Sequence, residues 1–266
     1  MANHTDSLSG VRAKIERANQ HVNDLQAAVN TFAERKSNRV IIEVDKEARK
    51  TIFKAQITED IPPEVSAIIG DCVHNLRTAL DYIICNAVVT NKRQIRKAHG
   101  FPIASSRKKF EAACVGKIDG TTQEVAKLLH RLKPYSGGRE PFWIIHELDR
   151  LDKHQAIIPI WSAYRSMVIS PAANFFGLKP GEERPALTLS PKDRVFPVYD
   201  GTELMTFSGD TSAFGLLKQY TDVNFAFEIA FGESQVVQGE PVGPTLKQLI
   251  RFTSRVADIF DRYIFK

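Results

Sequence analysis

Apolar residues at Val11, Ile15, Ala18, Val22, Leu25, Val29 and Phe32 recur with alternating spacings of four and three. A seam of that period lines one face of a helix of about 25 residues and suits near-parallel packing on a second helix. The partner lies in the same chain or in a second copy, so a homodimer through the 11–32 seam is one expectation. Ala18 is small for a coiled-coil core position and favours packing inside a bundle. Two β-prone runs follow at 40–45 and 51–57, joined by a polar turn at 46–50, and read as a hairpin. Pro62 and Pro63 mark a helix start. From Glu64 to about Val89 the apolar positions 65, 68, 69, 72, 73, 76, 80, 83 and 84 keep a 3.6-residue period.

A basic linker at 91–100 leads to Phe101-Pro-Ile103. Shorter helices are expected at 105–115, opened by Ser105 or Ser106, and at 121–132, opened by Thr121 or Thr122 with Glu124 behind it. The 134–138 segment ends that run, and Pro141 is placed to begin a helix through His154. After Pro159 the texture changes. Runs at 157–164, 166–170, 186–190, 194–198, 203–207 and 224–231 are short and β-prone. Pro171, Pro180-Gly181, Pro185, Pro191, Asp200-Gly201 and Gly209 punctuate them. Phe225, Phe227, Ile229 and Phe231 alternate, which predicts one buried face. A last helix from about Pro244 docks through Leu246, Leu249, Ile250, Val256, Ile259, Phe260 and Tyr263. The fold class expected is α+β. Residues 1–154 form a helical bundle with a small β-hairpin at 40–57; 155–266 form an antiparallel β-rich segment closed by a C-terminal helix. The two can pack as one domain.

Two of these helices are polar along one face. At 100° per residue His74, Arg77, Thr78 and Asp81 share a side, with Asp71 at its margin. Ile69, Cys72, Val73, Leu76, Leu80, Ile83 and Ile84 lie opposite. In the later helix His146, Asp149, Arg150 and Lys153 cluster opposite Ile144, Ile145, Leu148 and Leu151, with His154 on the flank. If the two polar faces meet, they make a compact site; if they face water, they are ordinary amphipathic surfaces. An exposed Arg77–Asp81 pair would contribute only ~0.3–0.5 kcal/mol. Asp149 to Lys153 has the favourable acidic-first order. His146 and His154 flank the cations Arg150 and Lys153, which disfavours the protonated imidazole and suits a general base. The cations would stabilise a developing phosphorane or oxyanion. Metal ligation by His74, His146, His154, Asp149 and Asp152 would require the helices to abut, and no helix carries a paired-histidine spacing. Neither a metal nor a cofactor is expected.

The chain is 43% hydrophobic and 25% charged, an ordinary globular balance. No apolar run reaches the ~18 residues of a membrane span, and no leader pattern opens the sequence. Cys72, Cys85 and Cys114 lack metal spacing and read as small hydrophobes in a reducing cytoplasm. Phosphate-loop, dinucleotide and nucleophile-elbow patterns are absent. Residues 1–154 hold 25 Lys and Arg against 19 Asp and Glu, or +6, and residues 155–266 hold 11 against 12, or −1, which together give the net charge of +5. Lys92, Arg93, Arg96 and Lys97 are candidate substrate-binding residues for RNA, with Arg107, Lys108 and Lys109 following; a solvated basic loop is the alternative. The 135–139 turn either closes over a site or only connects helices, and Trp143 and Trp161 read as core anchors.

The segments His74-Asn-Leu-Arg-Thr-Ala-Leu-Asp81 and His146-Glu-Leu-Asp-Arg-Leu-Asp-Lys-His154, with Phe101-Pro-Ile103 between, resemble an uncharacterised bacterial cytoplasmic family. Its members carry HNLR-x-ALD and HELD-x-x-DKH signatures in this order. A more distant resemblance is to the HEPN superfamily of helical-bundle ribonucleases, whose Arg-x(4–6)-His motif serves metal-independent RNA cleavage across a dimer. Here Arg150 to His154 has three intervening residues, Arg139 to His146 has six with Pro141 among them, and Arg93 to His99 has five. The resemblance implies a metal-independent ribonuclease of a toxin or phage-defence system. His154 or His146 would be the base, Arg150 and Lys153 would stabilise phosphate charge, and His74 and Arg77 would complete the pocket. The other expectation is a non-catalytic scaffold or ligand-binding protein whose polar faces lock helices together.

Overall fold

The computed structural model of the chain describes residues 8–35, 38–171, 187–189, 195–208, 221–232 and 236–265. The architecture is α+β, with helices, a small antiparallel hairpin, further antiparallel strands and a C-terminal helix. It divides into two compact units, each assembled from separate stretches. Residues 1–28, 63–158 and 234–266 form one; residues 29–62 and 159–233 form the other. The hairpin therefore groups with the later strands and the closing helix with the earlier ones, across the 154/155 boundary read from the sequence. A lone hairpin is marginal and leaves a free edge, which a third strand takes up.

In the helical unit, α1 (Ser9–Glu34) buries Val11, Ile15, Ala18, Val22 and Leu25. The seam is thus covered by the chain itself, on the face through which a second copy was expected to pair. Helix α2 (Pro63–Thr90) buries Ile69, Cys72, Val73, Leu76, Leu80, Ile83 and Ile84, and the Cys72 Sγ reaches the Ala18 carbonyl at 3.5 Å. Its C-terminus closes with Lys92 N–H donating to Val89 O (2.8 Å) and Arg93 N–H to Val88 O (3.0 Å). Lys92 occupies the left-handed position of this cap, at φ 56°. Helix α3 (Arg107–Lys117) is capped by Ser106, whose Oγ accepts from Lys109 N–H at 3.3 Å. Helix α4 (Gln123–Leu132) begins after Thr122, and α5 (Glu140–His154) carries Pro141 in its first turn. Helix α6 (Val242–Phe260) packs on α2 and α5, with Phe252 edge-on to Phe142 at 4.7 Å. A π-turn, Asp261–Phe265, then breaks the α-helical period, and Tyr263 is 63% exposed instead of docking.

In the strand unit, β1 (Arg39–Asp45) and β2 (Lys50–Gln56) pair antiparallel from Arg39↔Gln56 to Asp45↔Lys50. β2 also pairs with β5 (Glu203–Ser208). A second sheet sets β3 (Pro159–Pro171) between β4 (Leu187–Leu189) and β6 (Thr221–Phe231). The runs read separately at 157–164 and 166–170 are one strand with an irregularity between Ala163 and Met167. The expected strand at 194–198 is not one over its described residues, 195–198; Pro197 offers no N–H to a ladder. Ile229 and Phe231 are buried as the alternation predicts, but Ala230 between them is buried too. The side chains of Phe225 and Phe227 lie outside the described residues, as do Met1–Ser7 and the turn residues Pro180, Gly181, Pro185, Pro191 and Gly209. Phe32 stacks on Trp161 at 5.4 Å, an anchor as expected; Trp143 is only half-buried.

Candidate active site

The two polar stripes meet. α2 and α5 pack directly, and His74 Nδ1 lies 3.0 Å from Asp149 Oδ1 across the crossing. Asp149 is 4% exposed, so it is a buried acceptor and not the surface acid that its i,i+4 spacing to Lys153 suggested. Its second oxygen accepts from Lys153 Nζ at 2.7 Å. A carboxylate can only accept, so His74 donates from Nδ1 and turns Nε2 outward, where Thr78 Oγ1 stands at 3.5 Å. The His74 side chain is half exposed. His74 thus offers Nδ1 to a buried acid, while Nε2 faces the Thr78 hydroxyl and the side chain as a whole stays half exposed.

The crossing is close because Gly70 has no side chain. A Cβ there would lie 1.9 Å from Asp152 Oδ1 and 2.4 Å from its Cγ. Burial, then the neighbouring Asp149 and Asp71 carboxylates, push Asp152 above the usual carboxylate range, against the pull of His74 and Lys153. On the far side of the stripe Asn75 donates to Asp71 O (2.8 Å) and accepts from Lys14 Nζ on α1 (3.1 Å).

One turn on, Arg77 is only 8% exposed. Its Nη2 donates to Asp81 Oδ1 and to Phe101 O, both at 3.0 Å, while Phe101 N–H donates to Asp81 Oδ1 at 2.7 Å. Both main-chain groups of Phe101 are thereby held by the α2 stripe, and its ring stacks on Phe142 at 5.2 Å. The Arg77–Asp81 pair is more than the surface pair that the sequence allowed. Arg77 Nη1 and His146 Nδ1 are both solvent-excluded with no hydrogen-bond partner among the described residues. Burial, then the Arg77 guanidinium, hold His146 below its ordinary value; Lys117 adds to this, and Glu147 and Asp149 oppose it. A half-buried imidazole whose protonation is disfavoured beside a guanidinium is equipped to accept a hydrogen bond.

His74, Arg77, His146 and Lys153 are therefore gathered at the α2–α5 crossing. Arg150 is not: it turns to Glu147 on the exposed side, with Nη2–Oε2 at 2.9 Å. His154 is the exposed last residue of α5. Lys92, Arg93 and Lys97 are exposed in the cap and loop after α2, and Arg96 pairs with Asp119. The 135–139 turn is bound down, with Ser136 N–H on Ala104 O at 3.1 Å and Arg139 N–H on Lys133 O at 3.0 Å, and it connects helices. Sequence reasoning missed the burial of Asp149 and missed Lys117 altogether, because α3 reaches the site only through the tertiary fold. Gly70 was legible in principle: a glycine inside a strongly periodic helix signals close approach.

Among the described residues no three His, Cys, Asp or Glu side chains are grouped as a metal ion would need, and no helix is long and apolar enough to cross a membrane. Comparison of the chain with protein-family models, with curated proteins and with solved structures found no match.

Proposed function

We propose that this chain is a HEPN-like, metal-independent ribonuclease whose general base is His74, oriented by Asp149. The observation that carries the reading is the His74–Asp149 contact, with the acid buried and the His74 side chain half exposed. A buried carboxylate on Nδ1 fixes the tautomer and stabilises the imidazolium formed when Nε2 takes a proton. RNA supplies its own nucleophile, so no serine or cysteine is needed. His74 Nε2 removes the 2′-hydroxyl proton; the O2′–P bond forms and the P–O5′ bond breaks. The products are a 2′,3′-cyclic phosphate and a 5′-hydroxyl that takes its proton from solvent. The buried Arg77 guanidinium provides positive charge toward the phosphoryl oxygens. Relative to the sequence reading, the base moves from His154 or His146 to His74, and Arg150 leaves the site.

The test is RNA incubated with purified protein in EDTA. Cleavage to cyclic-phosphate ends is expected, with His74→Gln reducing the rate about 10²-fold or more and Arg150→Ala leaving it unchanged. Intact RNA, or a His74→Gln protein as fast as wild type, refutes the proposal. One observation favours a second reading: Arg77 and Asp81 together clamp the Phe101 backbone, as a purely structural lock would. Under that reading RNA stays intact while Arg77→Met and His74→Gln both lower thermal stability.

A further inference from the structure

The geometry points to a phosphate subsite at this crossing, formed by Arg77, His146 and Lys117, the last of which comes from a third helix. The proposal rests on the ribonuclease reading only in taking that phosphate to be the phosphodiester of RNA.

Lys117 is the last residue of α3, and its carbonyl accepts from Gly100 N–H at 3.2 Å. A Cβ at Gly100 would lie 2.7 Å from Asp81 Oδ1 and 3.8 Å from Lys117 Nζ. The bare glycine thus makes room for the Asp81 carboxylate, and the Lys117 ammonium lies beside the same point, one residue before the Phe101 backbone that Arg77 holds. Lys117 Nζ has no hydrogen-bond or ion-pair partner among the described residues.

The surrounding carboxylates are already engaged. Asp81 Oδ1 accepts from Arg77 and Phe101, Asp149 from His74 and Lys153, and Glu147 from Arg150. Lys117, with only the shared Asp81 carboxylate to offset it, feels the charge of a buried guanidinium whose Nη1 has no acceptor, and so does an imidazole whose Nδ1 has no partner among the described residues. An unpaired buried N–H of a charged group is costly and calls for an explanation. A tetrahedral oxyanion supplies it: its oxygens accept from Arg77 Nη1, from Lys117 and from a protonated His146. The mutual repulsion fits the same account. Burial, then Arg77, lower Lys117 below its ordinary value, with Asp81 opposing, and Arg77 and Lys117 both lower His146. Arg and Lys together are the side chains suited to phosphate.

Inorganic phosphate is the probe. Thermal unfolding at ~10 mM phosphate is compared with chloride of equal ionic strength, and a rise of a few degrees is expected. The His146 imidazole, followed by NMR, should titrate at higher pH with phosphate than with chloride. Lys117→Met should abolish both responses, with Lys117→Gln as a second neutral variant should the first fold poorly. Lys127→Met, on the exposed face of α4, should keep them. Absence of both responses in wild type, or their survival in the Lys117 variants, overturns the subsite. Phosphate binding by a protein that leaves RNA intact removes the ribonuclease reading alone. RNA cleavage with no phosphate response removes the subsite alone.

Discussion

Substituting Gly70 by alanine tests whether the α2–α5 crossing is as close as the site requires. The new methyl carbon would stand 1.9, 2.4 and 2.7 Å from Asp152 Oδ1, Cγ and Oδ2. Ordinary contact needs more than ~3 Å, so Oδ1 must move by over 1 Å and the rest of the carboxyl by less. Asp152 is itself on a helix, where one of the three χ1 wells is closed, so it has one alternative rotamer. Overpacking of this kind costs about 1–3 kcal/mol. Against it stands the intrinsic preference of alanine over glycine in a helix interior, about 1 kcal/mol. The net expectation for Gly70→Ala is a loss of about 1 kcal/mol, the middle of the range these two terms leave. In the Asp152→Ala background the obstruction is gone, and the same substitution should instead stabilise by ~1 kcal/mol. The coupling between the two positions is therefore about 2 kcal/mol with a change of sign, within the range for residues in contact. Urea unfolding of the four proteins, followed by helical circular dichroism, measures it. If Gly70→Ala has the same effect in both backgrounds, within ~0.5 kcal/mol, the helices do not approach as described and the site opens up.

Four further outcomes follow from the same structure. Asp149→Asn presents an amide N–H₂ to either His74 or Lys153, both of them donors, so RNA cleavage should fall about 10²–10⁴-fold; an unchanged rate would separate Asp149 from catalysis. His146 has a folded value below its unfolded one of 6.5, so its protonation is costlier in the fold. Its contribution is intact above pH 6.5, is lost as the pH falls from there through the depressed folded value, and should be missing from the pH–stability curve of His146→Gln. Lys92→Gly relieves a left-handed residue at φ 56° and should stabilise by about 0.5–1 kcal/mol in urea unfolding; destabilisation would refute the cap. Burial raises Cys72 to about 12 and Cys114 to about 11, so mass spectrometry after native alkylation at pH 8 should find Cys72 unmodified until denaturant is added.

Helices were legible where one face of the chain does one job throughout. The 11–32 seam and the 64–89 period each predicted a helix within a residue or two of its ends, because burial of an apolar stripe fixes both type and length. The hairpin was equally plain from its two β-prone runs and polar turn. Grouping was not. Nothing in β2 records that its outer edge takes β5 some 150 residues later, and nothing in α6 records which helices its stripe covers. Local pattern reports how an element faces the interior and is silent on which element faces it. The 154/155 boundary was drawn at a change of texture, whereas the units follow the pairing of edges and stripes.

The same distinction explains the candidate site. A helical wheel places Asp149 beside Lys153 and Arg150, and on the wheel all three are surface charges. What separates them is the neighbour. α2 presents His74 to Asp149 and leaves Arg150 to Glu147, so one acid becomes a buried acceptor while the cation one residue on remains a solvent-exposed partner. Arg77 shows the converse. Its i,i+4 spacing to Asp81 accounts for one hydrogen bond, but the other goes to the Phe101 carbonyl, which the basic linker delivers back onto α2. His154 and Arg150 looked best from spacing because they end a charged run, and a helix end is where charge is most easily solvated. Which polar side chains of the stripes leave solvent is decided by contacts between elements. Asp149 and Arg77 are buried by such contacts, burial and the Arg77 guanidinium hold His146 below its ordinary value, and Lys117 joins them from a helix whose cap was legible but whose neighbours were not.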